Sequence, residues 1–383
     1  MPKRCPARTQ AMGRRQSRKQ QSLTTDQTRA YGSARFVCEG GSRVDRGSRR
    51  RQGKQTYEKS HRPAFRQKPR APLAMTSIVT LTMNPALDIA TATDAVVPGH
   101  KLRCGEPRYD PGGGGINVAR AVTRLGGDAL AVFPVGGLSG EMLCRLLHDE
   151  SVPHVRVPIA GFTRESLAIV ERQSGDQYRF LLPGPSLDVH DQERCLDALP
   201  LQAQGDSYLV ASGSLPPGVP ADFYARVGDL ARRCGTRFVL DTSGPALAGA
   251  GCGMFLIKAS LRELEELIGH SLPSDGAQED AAQDVVAQGL AEICVVSLGA
   301  QGALLATAQG VQRFAAVPIE GLSSVGAGDS MVAGIVLSLV RGLALADAVR
   351  FGMAAGSATL LRPGTELCHR EDAERLYRQM AAT

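Results

Sequence analysis

The sequence predicts an α/β fold: a mostly parallel central sheet with helices on both faces, plus a small β-sheet acting as a lid. Three observations carry that prediction. From residue 76 onward, short apolar, β-branched runs alternate with longer helix-like stretches. Several of the runs lack the polar alternation of a half-exposed strand, as expected of strands buried on both faces. Two further stretches break the rhythm with polar alternation and glycine-containing turns, which suits strands outside the parallel core.

The strand-like runs are SIVTLTM (77–83), LAVFPVG (130–136), SYLVASG (207–213), RFVLDTSG (237–244), MFLIKAS (254–260) and EICVVSLG (292–299). Between them lie the helical patterns INVARAVTRLGG (116–127), GEMLCRLLHDE (140–150), DFYARVGDLARRCG (222–235) and LRELEELIGH (261–270), two of which run into glycine where a helix would stop. In such a sheet, ligands collect at the carboxyl ends of the strands. The two irregular stretches, GHKLRCGEPRYDPG (99–112) and ESLAIVERQSGDQYRFLLPG (165–184), are the expected lid strands, the second a hairpin around Ser174 and Gly175. They suit a lid over a site, a dimer contact, or both.

Charge divides the chain. Residues 1–74 hold 20 Lys or Arg against 4 Asp or Glu, whereas residues 75–383 hold 24 against 34. The net charge of +6 therefore belongs to a basic tail, and the body is acidic. The tail is rich in Arg, Gln and Ser and has no sustained apolar period, so it cannot bury enough surface to offset the entropy of ordering, and disorder is expected. A nucleic-acid-binding arm, an Arg-rich targeting peptide and sequence upstream of a true start at Met75 all fit it, and the third is favoured. That leaves one folded domain over 75–383.

The nine cysteines are scattered singly, with no C-x-x-C pair and no neighbouring His at metal-ligand spacing, so small half-buried side chains in a reducing cytosol are expected. The uncharged stretch 330–340 is about half the ~20 residues needed to span a bilayer. A soluble cytoplasmic protein is the expectation, with no membrane partner.

Two glycine-rich elements carry the chemistry. In SSVGAGDSMVAG (323–334), a Gly-Ala-Gly loop runs into an apolar helix expected to begin near Gly328 or Asp329, and its backbone N–H groups make an anion site at a helix N-terminus. Asp329 there has an ordinary reading as a first-turn dipole partner. Beside a transferring phosphoryl group, it would instead accept the proton of an attacking hydroxyl. The second element, YDPGGGGINVARAVTRLGG (109–127), lets backbone approach a ligand and offers a second helix N-terminus. Asn117 is either a helix-start cap or a hydrogen-bonding partner for sugar hydroxyls. No G-x-x-x-x-G-K-[ST] loop occurs anywhere in the chain.

Together, GGGGINVARAVTRLGG and SSVGAGDSMVAG resemble the two signatures of the ribokinase-like, or pfkB-type, carbohydrate kinases. TLTMNPALDIA, GHKLRCGEPRYDPGGGGINVARA, QYRFLLPG, SGSLPPGV, VVSLGAQGAL and VGAGDSMVAG, in that order, are similar to the members acting on fructose 6-phosphate, over about residues 76–380. The resemblance implies a ribokinase-like fold and transfer of the γ-phosphoryl group of MgATP to the 1-hydroxyl of fructose 6-phosphate, a glycolytic reaction. It makes Asp329 the catalytic base and Gly326, Ala327 and Gly328 the anion hole. It places Asp88, Gly113, Gly114 and Asn117 on the sugar, and Lys101, Arg103 and Arg164 on the sugar's phosphate. Ser297, Gly299 and Gly302 would meet the nucleotide, with Lys258, Ser260 and Glu263 in a neighbouring motif tied to nucleotide and, through Glu263 indirectly, to Mg²⁺.

The chain departs from the family at Lys258-Ala259-Ser260, where Lys-Pro-Asn is usual; a hydroxyl is shorter than an amide and lacks its NH₂ donors. A homodimer through the lid strands and a monovalent cation such as K⁺ are further implications. Tagatose 6-phosphate and fructose 1-phosphate are alternative substrates. A sugar-phosphate sensor, or an RNA-associated protein using the basic tail, is the competing class, although nucleic acid is not the expected partner.

Overall fold

The computed structural model describes residues 77–200, 202–321 and 323–381. The basic tail, Met75 and the accounts of them lie outside the described residues. In chain order the strands are β1 (Ile78–Leu81), β2 (Ala86–Thr93), β3 (Arg108–Gly112), β4 (Leu130–Val135), β5 (His154–Pro158), β6 (Arg164–Glu171), β7 (Gln177–Leu181), β8 (Tyr208–Ser212), β9 (Arg237–Asp241), β10 (Met254–Ser260), β11 (Ala291–Ser297), β12 (Ala303–Thr307) and β13 (Gly310–Phe314). The helices are α1 (Gly114–Arg124), α2 (Gly137–Asp149), α3 (Val189–Ala198), α4 (Phe223–Cys234), α5 (Gly244–Ala248), α6 (Leu261–Ile268), α7 (Asp275–Ala287), α8 (Ala327–Val340), α9 (Leu345–Leu360) and α10 (Arg370–Ala381).

Nine strands form the main sheet in the order β13-β12-β11-β10-β9-β8-β1-β4-β5. Pairing is parallel from β11 through β5, and β12 and β13 close one edge antiparallel. Alternate strand residues divide between two cores. Val210, Val239, Leu256 and Val295 pack on one face with α1, α8 and α9. Leu209, Leu240, Ile257 and Val296 pack on the other with α4 and α7. This two-sided burial is why the strands read as continuous apolar runs.

The uncharged run after Asp329 has the same cause: Ser330 through Ser338 of α8 are all buried. α8 also lies very close to α9, since a Cβ on Gly334 would come within 2.8 Å of Gly352 Cα. Only small residues permit that approach.

The lid is a four-stranded sheet in the order β3-β2-β6-β7. The hairpin stands as expected, β6 pairing antiparallel with β7 and Gly175 at φ 81° in the turn. The other lid stretch needs correction. Only 108–112 of 99–112 is a strand, and 99–107 is irregular chain tied to β2 by Gly105 N–H to Ala92 O (2.9 Å) and Thr93 Oγ1 to Arg103 O (3.2 Å). One of the lid's two inner strands is β2, which sequence reading missed and which pairs in parallel with the other, β6.

α1 starts where the chain turns off β3, and its first turn presses onto the main sheet. A Cβ on Gly115 would lie 2.5 Å from Leu81 O, and one on Gly114 would lie 2.2 Å from Ser212 Oγ. Both contacts are at the carboxyl ends of neighbouring strands, so α1 is seated at the floor of the cleft. Gly115→Ala is expected to destabilise the protein by about 2 kcal/mol, because a fixed carbonyl cannot yield to the added methyl. Urea unfolding measures it, and an unchanged midpoint would show that α1 has slack there.

Candidate active site

The carboxyl ends of β1, β8, β9, β10 and β11 converge on the start of α8. There the chain turns through Gly326 at φ 76°, a left-handed residue preceding the helix, and α8 begins at Ala327, one residue earlier than the sequence suggested. The first N–H groups of a helix have no carbonyl of their own within it, so the Gly-Ala-Gly turn brings donors and the positive end of the helix dipole to the cleft, the Ala327 N–H making a long bond to Ser324 O (3.4 Å). Asp329 sits in that first turn, half-buried.

Its carboxylate is held from two sides. Asn117 Nδ2 in α1 donates to Oδ2 (3.0 Å), and Ser212 Oγ at the end of β8 donates to Oδ1 (3.2 Å). Burial pushes the Asp329 carboxyl up to about 6, and the nearby Asp241 carboxylate adds to the rise; Asn117, Lys258 and Ser212 pull it back. A base whose pKa lies just below neutrality is ionised at pH 7 and still proton-hungry, the condition for general-base work. The reading of Asn117 is sharpened accordingly, since its amide supports Asp329 directly.

The glycine run meets protein on its other side. A Cβ on Gly113 would strike Thr82 Cγ2 at 2.7 Å, and that on Gly114 the Ser212 hydroxyl. The glycines thus bring α1 against the sheet, a second requirement beside the ligand approach expected from the sequence.

Lys258 lies under the anion turn: a Cβ on Gly328 would fall 2.8 Å from its Nζ. The ammonium is buried and pairs with buried Asp241 at 3.2 Å and 3.4 Å. Burial alone would lower Lys258, but the carboxylates of Asp241, Glu263 and Asp329 outweigh it and hold the side chain charged. Burial dominates at Asp241, whose carboxyl stays above its ordinary value despite the ammonium beside it.

Ser260 and Glu263 form a capping box at the start of α6. Ser260 N–H donates to Glu263 Oε2 (2.7 Å), and Glu263 N–H donates to Ser260 Oγ (3.3 Å). Both residues expected near nucleotide and metal thus close their own helix end, and the Glu263 carboxylate is near enough to act on Lys258 and Asp241.

Beyond the turn, away from Asn117, a cleft of about 490 Å³ is lined by Ser297, Gly299, Gly302, Ala327 and Gly328, with Val317, Ile319, Met331 and Met353 among its apolar walls. Ser297, Gly299 and Gly302, expected past the anion hole, share this cleft with Ala327 and Gly328 of the turn. The apolar walls were not anticipated, because 316–319 and α9 join them only in the folded chain. The cleft suits a planar apolar ring with a phosphate chain reaching the helix N-terminus.

On the lid side, Asp88 of β2 is pushed up to about 6 by burial, offset by Arg164, Arg120 and Arg179, while Asp110 adds to the rise. Arg164 donates to Asn84 O from Nε (3.3 Å) and Nη2 (3.2 Å). Asn84 Nδ2 in turn donates to Ser214 Oγ (3.2 Å). Lys101 and Arg103 are not brought to this group; both are exposed on the irregular segment, and the cations acting on Asp88 are Arg164, Arg120 and Arg179. Arg179, exposed on β7, was missed although it lies in the quoted QYRFLLPG, as were Ser212 and Asp241 at strand ends.

Removing Lys258 is expected to expose its structural role. Lys258→Met leaves Asp241 buried and unpaired, at a cost of about 3 kcal/mol. Because that carboxyl titrates higher in the folded state than in the unfolded chain, the variant regains stability as pH falls. Urea unfolding at pH 5.5 and 8 reads both effects, and a pH-independent loss would remove Asp241 from the explanation.

Comparison with known proteins follows the same lines. The pfkB family carbohydrate kinase pattern matches residues 81–372. The chain is 55% identical over 300 residues to the ATP-dependent 6-phosphofructokinase isozyme 2 of Mycobacterium tuberculosis (strain ATCC 25618 / H37Rv), covering 78% of this chain and 88% of that one. It is 43% identical over 305 residues to the isozyme 2 of Escherichia coli (strain K12), covering 79% and 98%. The crystal structure of phosphofructokinase-2 from Escherichia coli in complex with substrates and products superposes with a TM-score of 0.77 at 42% identity, over 80% of this chain and all of that one. That protein has also been solved with potassium and in a tetrameric inhibited form.

Proposed function

The chain belongs to the pfkB family of carbohydrate kinases, and from that premise we propose that it transfers the γ-phosphoryl group of MgATP to the 1-hydroxyl of fructose 6-phosphate, giving fructose 1,6-bisphosphate. The observation that carries the reading is the position of Asp329: a half-buried carboxylate beside a helix N-terminus, between a lid bearing cations and an apolar cleft.

Each group then has a task. Asp329 takes the proton of the sugar 1-hydroxyl as it attacks phosphorus. The N–H groups at Gly326, Ala327 and Gly328, with the Lys258 ammonium behind Gly328, meet the charge on the phosphoryl oxygens. The apolar cleft takes the nucleotide past Ser297, Gly299 and Gly302. Glu263 would help to hold the Mg²⁺ that arrives with ATP, with Oε2 committed to Ser260 N–H and Oε1 left to accept. Asp88, Gly113, Gly114 and Asn117 hold the sugar. Arg164 holds its 6-phosphate, and Arg179 joins it from β7, in keeping with the effect of both on Asp88. Lys101 and Arg103 complete the phosphate site only with movement of 99–107 or on a neighbouring copy.

A homodimer through the lid supports that second arrangement, because Val97, Leu102, Tyr109, Phe180, Leu181 and Leu182 expose apolar side chains around one small sheet. Sedimentation should show a dimer that Phe180→Glu with Leu181→Glu dissociates; a wild-type monomer would remove the lid from assembly. K⁺ extends the proposal on the strength of the Escherichia coli relative, and the cytosol is its place because ATP and sugar phosphates are found there.

Initial rates of ADP release in KCl with MgATP are expected to favour fructose 6-phosphate over tagatose 6-phosphate, fructose 1-phosphate and fructose in kcat/KM. Asp329→Asn should lower kcat by roughly 100-fold or more with little change in KM. Preference for another sugar would overturn the substrate, and wild-type turnover by Asp329→Asn would overturn the base.

A further inference from the structure

Arg120 is a fully buried arginine, 1% exposed, on the second turn of α1. Its guanidinium is bound on every side. Nε and Nη2 donate to the two oxygens of Glu150 at the end of α2 (2.7 and 2.6 Å), Nη1 donates to Pro111 O (2.7 Å), and Nη2 reaches Asp110 Oδ1 on β3 (3.3 Å). Nη1 also donates to Asn117 Oδ1 (3.3 Å). The same amide gives its NH₂ to Asp329.

The two ends of an Asn amide are almost the same size, so packing alone does not choose which end faces a carboxylate. A guanidinium has donors only and can never accept from an NH₂ group. We propose that Arg120 is a positioning residue that orients the Asn117 amide, holding its oxygen away from Asp329 so that the NH₂ group faces the carboxylate. The proposal deepens the phosphotransfer reading and rests on it for the role of Asp329. A turned amide would set two donors together at Arg120 and an oxygen against the carboxylate at Asp329, so the guanidinium chooses the orientation twice over. Glu150 and the Pro111 carbonyl keep Arg120 in place to do so, and Asp110 links it to the lid.

Other charged groups near the two residues are accounted for. Asp329 is faced by Ser212 from β8, Asp241 from β9 and Lys258 from β10. Arg120 is faced by Glu150 and Asp110, and its charge is felt by Asp88 on β2. A loss of Arg120 thus acts on Asp88 through charge and on Asp329 through Asn117, and a probe specific to Asp329 separates the two.

Wild type, Arg120→Met, Asn117→Ala and the double variant are labelled with carboxyl-¹³C aspartate, and the Asp329 resonance, identified from Asp329→Asn, is titrated in substrate-free protein. Each single variant should raise the midpoint by about one pH unit, in line with the loss of one hydrogen bond to the ionised form. The double variant should rise no further than Asn117→Ala. The acid limb of kcat with MgATP and fructose 6-phosphate should move with the midpoint. An unmoved midpoint in folded Arg120→Met, or additive shifts in the double variant, would overturn the proposal. If circular dichroism shows Arg120→Met unfolded, Glu150→Gln, which loosens the guanidinium without removing it, should shift the midpoint in the same direction by less, and no shift overturns the proposal. The titration needs no turnover, so absence of fructose 6-phosphate phosphorylation in wild type would sink the proposed function and leave this result to be read by itself.

Discussion

A single hydrogen bond, from Asn117 in α1 to Asp329 in α8, joins the two glycine-rich ends of the domain across 212 residues. It forms because both helices start at the same edge of the same sheet. α1 is pressed onto the ends of β1 and β8 by residues without side chains, and α8 begins at a left-handed glycine facing them. Shift either helix by an ångström or two and the carboxylate loses a donor while staying buried, which a low-dielectric site penalises heavily. The rest of the cleft is arranged around that carboxylate.

Charge is balanced there at short range. Asp241, Glu263 and Asp329 surround one ammonium, Lys258, itself buried under the anion turn. Carboxylates in excess of cations suit a site completed by a metal-bound nucleotide better than one that holds free anions. On the lid side, Arg164 and Arg179 act on Asp88 and are cations a phosphorylated sugar can use inside an otherwise acidic body, whereas Arg120 is already paired with Glu150 and Asp110.

Much of the fold was legible because its signals are local. Six strands and four helices could be placed from apolar periodicity and stop signals, and all ten are present. β2 was not legible: it follows β1 after four residues and pairs in parallel with β6, a partner more than seventy residues on. The Ser-x-x-Glu pattern of 260–263 is a helix-start signature that the sequence displays openly, yet its capping role became definite only when the reciprocal bonds could be seen.

The sequence by itself determined the alternation of strand and helix, the two glycine-rich turns and the presence of an acid in the first turn of an apolar helix, because each is written within a dozen neighbouring residues. Tertiary structure alone decided which polar groups share the cleft. Arg120 shows why: on an isolated α1 it is one of two ordinary arginines, and its burial depends on Glu150 and Asp110 arriving from α2 and β3. Burial and charge pairing are properties of elements brought together through space, and no local pattern encodes them.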